Sequence, residues 1–364
     1  MSANSDNAIA ASMKVAKTRL VTEMSEWAGR IERFMNAKPD TRGAITVSDL
    51  LIPKESGGSS GTILFTATYG NPANGESQRL VLRFHSDNTH ANYCDIPAQY
   101  HVLRALHGTD VPSPRVVGDL DETGKYLSVP GFLMTCMEGT SLPPTYPLKG
   151  DLFDATPAQR TQMIREAIGG LVKLHRVDWR TLNIEPHTRT GEGKNPIEHD
   201  INWYWKAINW GTPEFAPRIA PVRQWLLDNQ FEPKQWVLCH GDSSLHNYMF
   251  KDHHLTGMLD WEFAFIGVPE LDLAFQMSAS EFLELGNPAL PGLPDVEGRK
   301  AIFAELSGRP LDHWDYWFMI GQYKMYIHMA LSFRGGPPSL DAARDNYLDY
   351  AFGRINDCWT EVRK

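Results

Sequence analysis

The stretch WVLCHGDSSLHNYMFKDHHLTGMLDWEFAFIGVPELDLA, residues 236–274, decides the fold of this chain. It contains short apolar segments that are each followed by polar or acidic residues, at 236–238, 248–250 and 255–259. This alternation predicts, in order, a strand, an acidic loop, a strand, a turn, a strand and an acid. A hairpin built in this way brings Asp242, Asn247 and Asp260 to one end.

Oxygen-bearing side chains gathered in this way suit phosphoryl transfer. That reaction needs a group that orients and deprotonates the attacking hydroxyl, and hard oxygen ligands for the Mg²⁺ that bridges the phosphates. A single aspartate in a turn is usually a cap or an Asx-turn residue. The spacing of His240, Gly241, Asp242 and Asn247 would arise by chance in roughly one chain in a thousand from average residue usage. The pattern as a whole therefore favours a functional interpretation.

The sequence HGD at 240–242 with Asn247, followed by an apolar strand and Asp260, resembles the aminoglycoside phosphotransferase and choline kinase superfamily of small-molecule kinases. The resemblance implies that Asp242 is the catalytic base and that His240 braces its loop. It also implies that Asn247 and Asp260 hold Mg²⁺. Asp272, in PELDLA, matches a family aspartate that braces the catalytic loop.

The same resemblance implies an α+β, protein kinase-like two-lobed fold. A small antiparallel β-rich N-lobe is expected over residues 1–137, and a larger, mainly helical C-lobe over 138–364. Hydrophobic periodicity and turn residues predict the elements. Strands are predicted at 44–53, 63–69, 79–85 and 131–137, a long loop at 180–200, and helices at about 17–36, 91–107, 157–174, 216–229, 270–285, 296–307, 311–333 and 339–361.

A Gly/Ser turn precedes the second strand and contains Gly57, Gly58, Ser59 and Ser60. Glycines let backbone N–H groups approach phosphates closely, although most Gly/Ser hairpins are only turns. The family has a similar turn at this place, so the resemblance implies that these residues bind nucleotide phosphates.

Arg83, in VLRF, stands where kinase-like enzymes carry a phosphate-binding lysine. Arginine also binds phosphate, with bidentate geometry. The following helix normally supplies a glutamate to pair with the lysine, but here Gln99 lies near that position and Asp95 is the only acid. The usual ion pair is therefore expected to be absent, or replaced by Arg83–Asp95.

The apolar run 131–137 ends at Glu138 and Gly139. The resemblance implies that this junction is the hinge, where the backbone at Met137 and Glu138 binds the adenine of ATP. An ordinary buried strand and turn would explain the same residues.

Aromatic residues follow in the predicted helical region. Trp203, Ala207 and Trp210 share one helical face, in a subdomain that shapes the acceptor pocket in related enzymes. Their rings could stack on a sugar or enclose a quaternary amine, or they could simply pack helices together. His175 resembles a structural histidine of the family, and Glu262 could either touch the metal or face solvent.

Composition limits the class of protein. The 364 residues are 42% hydrophobic and 22% charged, with a net charge of −9, which argues against a nucleic-acid partner. No secretory signal or apolar run of membrane-spanning length is present, so we expect a cytoplasmic protein without a membrane partner. Its cysteines have no metal-type spacing and are expected to be reduced thiols; they are Cys94, Cys136, Cys239 and Cys358.

Together these features predict an ATP-dependent phosphotransferase that acts on a hydroxyl group of a small molecule with Mg²⁺. The motifs VLR, DVPSPRVV, LHRVDW and LDWE resemble the broad phosphotransferase branch that is also fused to acyl-CoA dehydrogenases. A kinase of hydroxyacyl-CoA or another metabolite therefore remains an alternative, as does a catalytically silent nucleotide-binding regulator. A protein kinase is disfavoured, because Trp261 and Glu262 follow Asp260 in place of a DFG motif.

Overall fold

The structure, a computed structural model, describes residues 24–38, 40, 42–53, 60–71, 73–85, 95–143, 148–284, 289–334 and 338–362. The chain forms two compact units. Unit 1 contains the described residues up to His107 together with Ser113–Met137, and unit 2 contains Gly108–Pro112 and the residues from Glu138 onward. Gly57, Gly58, Ser59 and Cys94 lie outside the described residues, so the expectations for them stay predictions.

Unit 1 is built on an antiparallel sheet of five strands in the order β1-β2-β3-β5-β4. Its strands are Ile45–Leu51 (β1), Ser60–Tyr69 (β2), Glu76–His85 (β3), Val116–Asp121 (β4) and Gly131–Thr135 (β5). Alternation along β2 buries Ile63, Phe65 and Ala67 on one face, as expected for a strand with one face on a core.

The two helices described in unit 1 are Met24–Met35 (α1) and Ile96–Ala105 (α2). Helix α1 buries Trp27 and Ile31, which lie one turn apart and join the core of the sheet. Helix α2 begins where the Asp95 carboxylate accepts a hydrogen bond from Ala98 N at 2.9 Å, with Pro97 in the first turn. This start lies later than the predicted residue 91.

Unit 2 is mainly helical. Its helices are Asp151–Asp154 (α3), Pro157–His175 (α4), Pro196–Gly211 (α5), Ala216–Asp228 (α6), Pro269–Glu284 (α7), Val296–Ser307 (α8), Trp314–Ser332 (α9) and Asp341–Val362 (α10). Its strands are Thr140–Ser141 (β6), Val237–Cys239 (β7), Tyr248–Lys251 (β8), His254–Met258 (β9) and Phe265–Gly267 (β10). Strands β6, β8 and β9 form one small sheet, and β7 pairs with β10. The predicted α+β class is confirmed.

Further sequence-based boundaries differ from the structure. The predicted loop at 180–200 is wrong at its end, because the Asn195 side chain accepts hydrogen bonds from Ile197 N and Glu198 N and starts α5 at Pro196. Ser60 was predicted in the Gly/Ser turn but is the first residue of β2 and pairs with His85. The predicted strand 131–137 ends at Thr135.

The segment Gly108–Pro112 belongs to unit 2 although its chain neighbours belong to unit 1. The Pro112 carbonyl accepts a hydrogen bond of 2.7 Å from Met258 N at the end of β9. Among the described helices, none has the length and apolar character needed to cross a bilayer. Cys136, Cys239 and Cys358 are free thiols, as predicted.

Candidate active site

One buried carboxylate organises the loop that contains Asp242. Asp272, in the first turn of α7, is 1% exposed. Its Oδ2 accepts hydrogen bonds from His240 N at 2.8 Å and from His175 Nε2 at 2.9 Å, and its Oδ1 accepts one from Gly241 N at 2.9 Å. The Ser243 hydroxyl donates to the Asp272 carbonyl at 2.6 Å. The predicted bracing by Asp272 and the structural role of His175 are both confirmed.

The loop requires glycine at position 241. Gly241 has φ +85°, and an added Cβ would lie 2.0 Å from the Phe263 carbonyl oxygen. A side chain is therefore excluded both by backbone conformation and by space. The glycine lets the 240–242 turn lie directly against the segment that follows Asp260 and Trp261.

Hydrogen bonds join the two halves of the hairpin. Asn247 Nδ2 donates to the Asp242 carbonyl at 3.0 Å, and Leu259 N donates to the Asn247 carbonyl at 2.7 Å. His240 Nε2 lies 2.9 Å from the Leu259 carbonyl and acts as the donor. Asp242, Asn247 and Asp260 were predicted to meet. The structure joins Asp242 to Asn247, and it joins Asn247 and His240 to Leu259, the chain neighbour of Asp260.

Asp260 and Asn247 offer the oxygen donors that Mg²⁺ prefers. Asp260 is half-buried and has the left-handed backbone conformation, φ 64° and ψ 62°, which is uncommon outside glycine and is concentrated at functional sites. Asn247 is buried, and its Nδ2 donates to the Asp242 carbonyl. Its amide oxygen is therefore the atom that would serve as a metal ligand. The donor set therefore fits a hard divalent cation.

A second group with metal-type chemistry, His175, Cys239 and Asp272, is better explained as structural. Its ligand atoms lie within 4.8 Å of one another. The Asp272 oxygens already accept hydrogen bonds from the loop, and the Cys239 thiol donates to the Val268 carbonyl at 3.4 Å. Burial raises the pKa of the Cys239 thiol well above 9.0, so it is a poor source of thiolate.

The Asp242 carboxylate is kept ionised by its neighbours. Burial raises its pKa, but His246, His328 and the Ser244 hydroxyl outweigh that effect and hold the pKa below 3.8. Ser244 Oγ donates to Asp242 Oδ1 at 2.8 Å. Asp242 is thus a carboxylate at neutral pH and is able to accept a hydrogen bond.

Sequence reasoning missed these neighbours of Asp242. Ser244 and His246 lie inside the motif, and the polar side chains between Asp242 and Asn247 were the signal that could have found them. His328 lies on α9, 86 positions further along the chain. Helix α9 was predicted from apolar periodicity alone, and no local sequence pattern marks His328 as a candidate site residue.

The two described phosphate-binding candidates of unit 1, Ser60 and Arg83, lie on the adjacent strands β2 and β3. Arg83 on β3 pairs in register with Thr62 on β2, and its guanidinium donates to Thr62 Oγ1 at 2.8 Å and to Gln99 Oε1 at 3.2 Å. Gln99 therefore takes the position of the expected glutamate. The proposed Arg83–Asp95 pair is replaced by this contact, because the Asp95 carboxylate caps α2.

The predicted hinge residues lie at the ends of the two units. Met137 closes unit 1, and Glu138 opens the second segment of unit 2. Within unit 2 the Glu138 carboxylate pairs with Lys251, and its carbonyl accepts a hydrogen bond from Thr256 Oγ1 at 2.6 Å. These two contacts connect Glu138 to strands β8 and β9, although its side chain is exposed to solvent.

The aromatic face predicted on α5 separates into two environments. Trp203 lies edge-on to Phe263, with ring centroids 5.7 Å apart, and under the Arg189 guanidinium. Trp210, by contrast, is 40% exposed. Glu262, whose side chain was left ambiguous by the sequence, is buried beside Asp260 rather than facing solvent.

Comparison with known proteins places this geometry in a family. The model of the family described as "Phosphotransferase enzyme family" matches residues 65–293. The chain is similar to acyl-CoA dehydrogenase family member 10 of Mus musculus, with 23% identity over 244 residues, and to member 11 of Homo sapiens, with 24% identity over 249 residues. Each match covers 63% of this chain but only 22% and 30%, respectively, of the relative. The chain thus spans less than a third of the length of these relatives.

Solved structures share the fold. A putative aminoglycoside phosphotransferase from Ralstonia eutropha JMP134 aligns with TM-score 0.66 and 20% identity over 91% of this chain and 96% of that one. The ethanolamine kinase of Plasmodium vivax aligns with TM-score 0.53 and 12% identity over 86% and 82%. Aminoglycoside phosphotransferase APH(4)-Ia, solved with ADP and hygromycin B, aligns with TM-score 0.52 and 15% identity over 90% and 97%. The predicted protein kinase-like fold is confirmed.

Replacing Asp272 by Ala should lower the free energy of unfolding by about 3–5 kcal/mol, because it leaves buried donors without their acceptor. Since the pKa of Asp272 in the folded protein is below 3.8, the wild-type contribution is present above about pH 4 and is lost as pH falls through the folded-state pKa. The difference between wild type and variant should therefore shrink in acid. Urea unfolding followed by tryptophan fluorescence measures both effects.

The matched control is Asp178→Asn, at an exposed aspartate of the same unit, which should change stability by less than about 0.5 kcal/mol. A loss below about 1 kcal/mol in Asp272→Ala would contradict the bracing role.

Proposed function

This chain belongs to the phosphotransferase enzyme family, and we propose that it transfers the γ-phosphoryl group of ATP to a hydroxyl group of a small molecule. It is accordingly an enzyme of the small-molecule kinase class. The observation that carries the proposal is the Asp272-braced loop, which holds the ionised Asp242 against Asn247 and the end of β9.

In the proposed reaction the acceptor oxygen attacks the γ-phosphorus. The bond between that phosphorus and the β–γ bridging oxygen breaks, and its electron pair leaves with ADP. Asp242 orients the hydroxyl and accepts its proton, so a phosphate ester and ADP are the products. A base with a low pKa suits this task, because phosphoryl transfer depends mainly on positioning and charge stabilisation.

Asn247 and Asp260 would hold Mg²⁺ through their side-chain oxygens. The ion, when bound, neutralises charge on the β- and γ-phosphate oxygens. His240 keeps Asp260 in place, since its ring donates to the Leu259 carbonyl one residue earlier. Glu262, buried beside this segment, is a further candidate for the surroundings of the ion.

In unit 1, Arg83 is a described candidate for binding the phosphates of ATP. Arg83 is held by Thr62 and Gln99, which suits a guanidinium that contacts phosphate oxygens. Gly57, Gly58, Ser59 and Ser60 would bind phosphates, and the backbone at Met137 and Glu138 would bind adenine. The similar aminoglycoside phosphotransferase APH(4)-Ia was solved with ADP, which supports a nucleotide donor.

The similar proteins define a panel of candidate acceptors. Similar structures include kinases whose names specify aminoglycosides and ethanolamine, and the curated relatives are acyl-CoA dehydrogenase family members. Aminoglycosides, ethanolamine, choline, homoserine, sugars and hydroxyacyl-CoA esters therefore form the panel to be screened. The contrasting hypothesis is a silent nucleotide-binding regulator.

Asp242→Asn separates enzyme from regulator. Loss of the proton acceptor should reduce kcat by about 10²- to 10⁴-fold, because the amide keeps the shape of the side chain but cannot take the proton. Coupled ADP release with Mg²⁺-ATP across the panel gives turnover, and calorimetric titration with a non-hydrolysable ATP analogue should give an affinity within about threefold of wild type. Wild-type turnover by Asp242→Asn would rule out this mechanism.

Arg83→Ala should raise the KM for ATP by about 10- to 100-fold, because a charge-assisted contact with phosphate is lost. Arg79→Ala is the matched control, since Arg79 lies on the same strand and bonds to Thr66 Oγ1 and to the Asp49 carbonyl. Steady-state kinetics at saturating acceptor measure both variants. Equal effects of the two substitutions would argue against a phosphate-binding role for Arg83.

A further inference from the structure

A tyrosine–histidine pair packs against Phe263, whose carbonyl lies against Gly241 in the Asp242 loop, and the mechanism above does not use it. The Tyr204 hydroxyl on α5 and His328 Nε2 on α9 are 3.1 Å apart. Tyr204 is buried, whereas His328 keeps partial exposure. Ring contacts with Phe263 at 5.6 Å and Phe275 at 5.2 Å fix the imidazole from two further elements.

A buried charge cluster joins the two helices that carry the pair. Asp200 on α5 accepts a hydrogen bond from Arg189 at 2.5 Å and lies 3.3 Å from Lys324 Nζ on α9. Lys324 is 0% exposed, and its ammonium lies over the ring of Tyr204 at 5.2 Å from the centroid. Because breaking a buried ion pair is costly, this cluster holds α5 and α9 in register and so fixes Tyr204 relative to His328.

The same cluster is tied to the catalytic hairpin. Arg189 N donates to the Ala264 carbonyl at 2.7 Å, and Arg189 Nε donates to the Phe263 carbonyl at 3.3 Å. Phe263 also packs its ring against His328 and its carbonyl against Gly241. The pair, the charge cluster and the Asp242 loop therefore form one connected arrangement within unit 2.

Asp242 and His328 also influence each other's ionisation. Burial lowers the pKa of His328 to about 4, against the opposing effect of Asp242. The other charged groups facing the imidazole are Lys324, Arg189 and His246, all of which lower its pKa. His328 is therefore a neutral hydrogen-bonding group at neutral pH. Its ring packs against Phe263, whose carbonyl lies against Gly241 in the Asp242 loop.

From this placement we propose that His328 contacts the acceptor and that Tyr204 positions its imidazole. The proposal rests on the proposed kinase function and deepens it. When the Tyr204 hydroxyl donates to Nε2, Nδ1 carries the imidazole proton and is a donor. His328 would then recognise an uncharged oxygen function near the reacting hydroxyl, and it would determine which acceptors are held against Asp242.

The test compares His328→Leu and Tyr204→Phe with Tyr316→Phe. Tyr316 is the matched control, because its buried hydroxyl, on the same helix α9, donates to the Leu226 carbonyl at 2.8 Å. For each panel compound that wild type phosphorylates, His328→Leu should raise the acceptor KM by about tenfold and leave the KM for ATP within about twofold. Tyr204→Phe should act in the same direction but less strongly, and Tyr316→Phe should leave both values at wild type.

Acceptor KM values unchanged in His328→Leu, or a matching rise in the KM for ATP, would overturn the inference. A second readout tests the placement without any acceptor: in Asp242→Asn, the NMR titration midpoint of the His328 ring should fall, because the carboxylate charge that raises it is gone. An unmoved midpoint would also overturn the inference. Failure of the proposed function is distinct, since wild type would then phosphorylate no panel compound.

Discussion

The carboxylate of Asp272 is the constraint on which the rest of the candidate site depends. Its two oxygens accept hydrogen bonds from consecutive backbone N–H groups, His240 and Gly241, and from the His175 ring on α4. A carboxylate buried in this way is stable only when its hydrogen bonds are made. The turn that presents Asp242 is thus fixed by a helix that follows it in the chain, and the hairpin need not be rigid by itself.

Contacts connect the Asp272-braced loop to two other parts of unit 2. Asn247 bonds to the Asp242 carbonyl and to Leu259 N, and Leu259 is followed by Asp260, which has a left-handed backbone conformation. Through Phe263 the loop reaches Arg189, Asp200 and the helices α5 and α9. The proposed base, the candidate metal ligands and the proposed acceptor contact are consequently parts of one connected framework in unit 2.

The sequence was most informative where function requires several residues in a short segment. Apolar segments separated by polar turns predicted the hairpin, and apolar spacing predicted α7 to α10 closely, because long helices carry a strong signal. Ser60 and the start of α5 were placed wrongly, since turn and cap chemistry act over single residues. His328 could not be foreseen, because its contacts with Tyr204 and Phe263 arise from tertiary packing between segments that are distant in sequence.

The central claim is that this framework transfers a phosphoryl group from ATP to an alcohol. Phosphorus NMR of the wild-type protein with ATP, Mg²⁺ and the acceptor panel tests it most directly, because the technique identifies the product and not only ADP. ADP and a phosphate ester should form in equal amounts. Formation of ADP with inorganic phosphate alone, whichever acceptor is supplied, would contradict this claim.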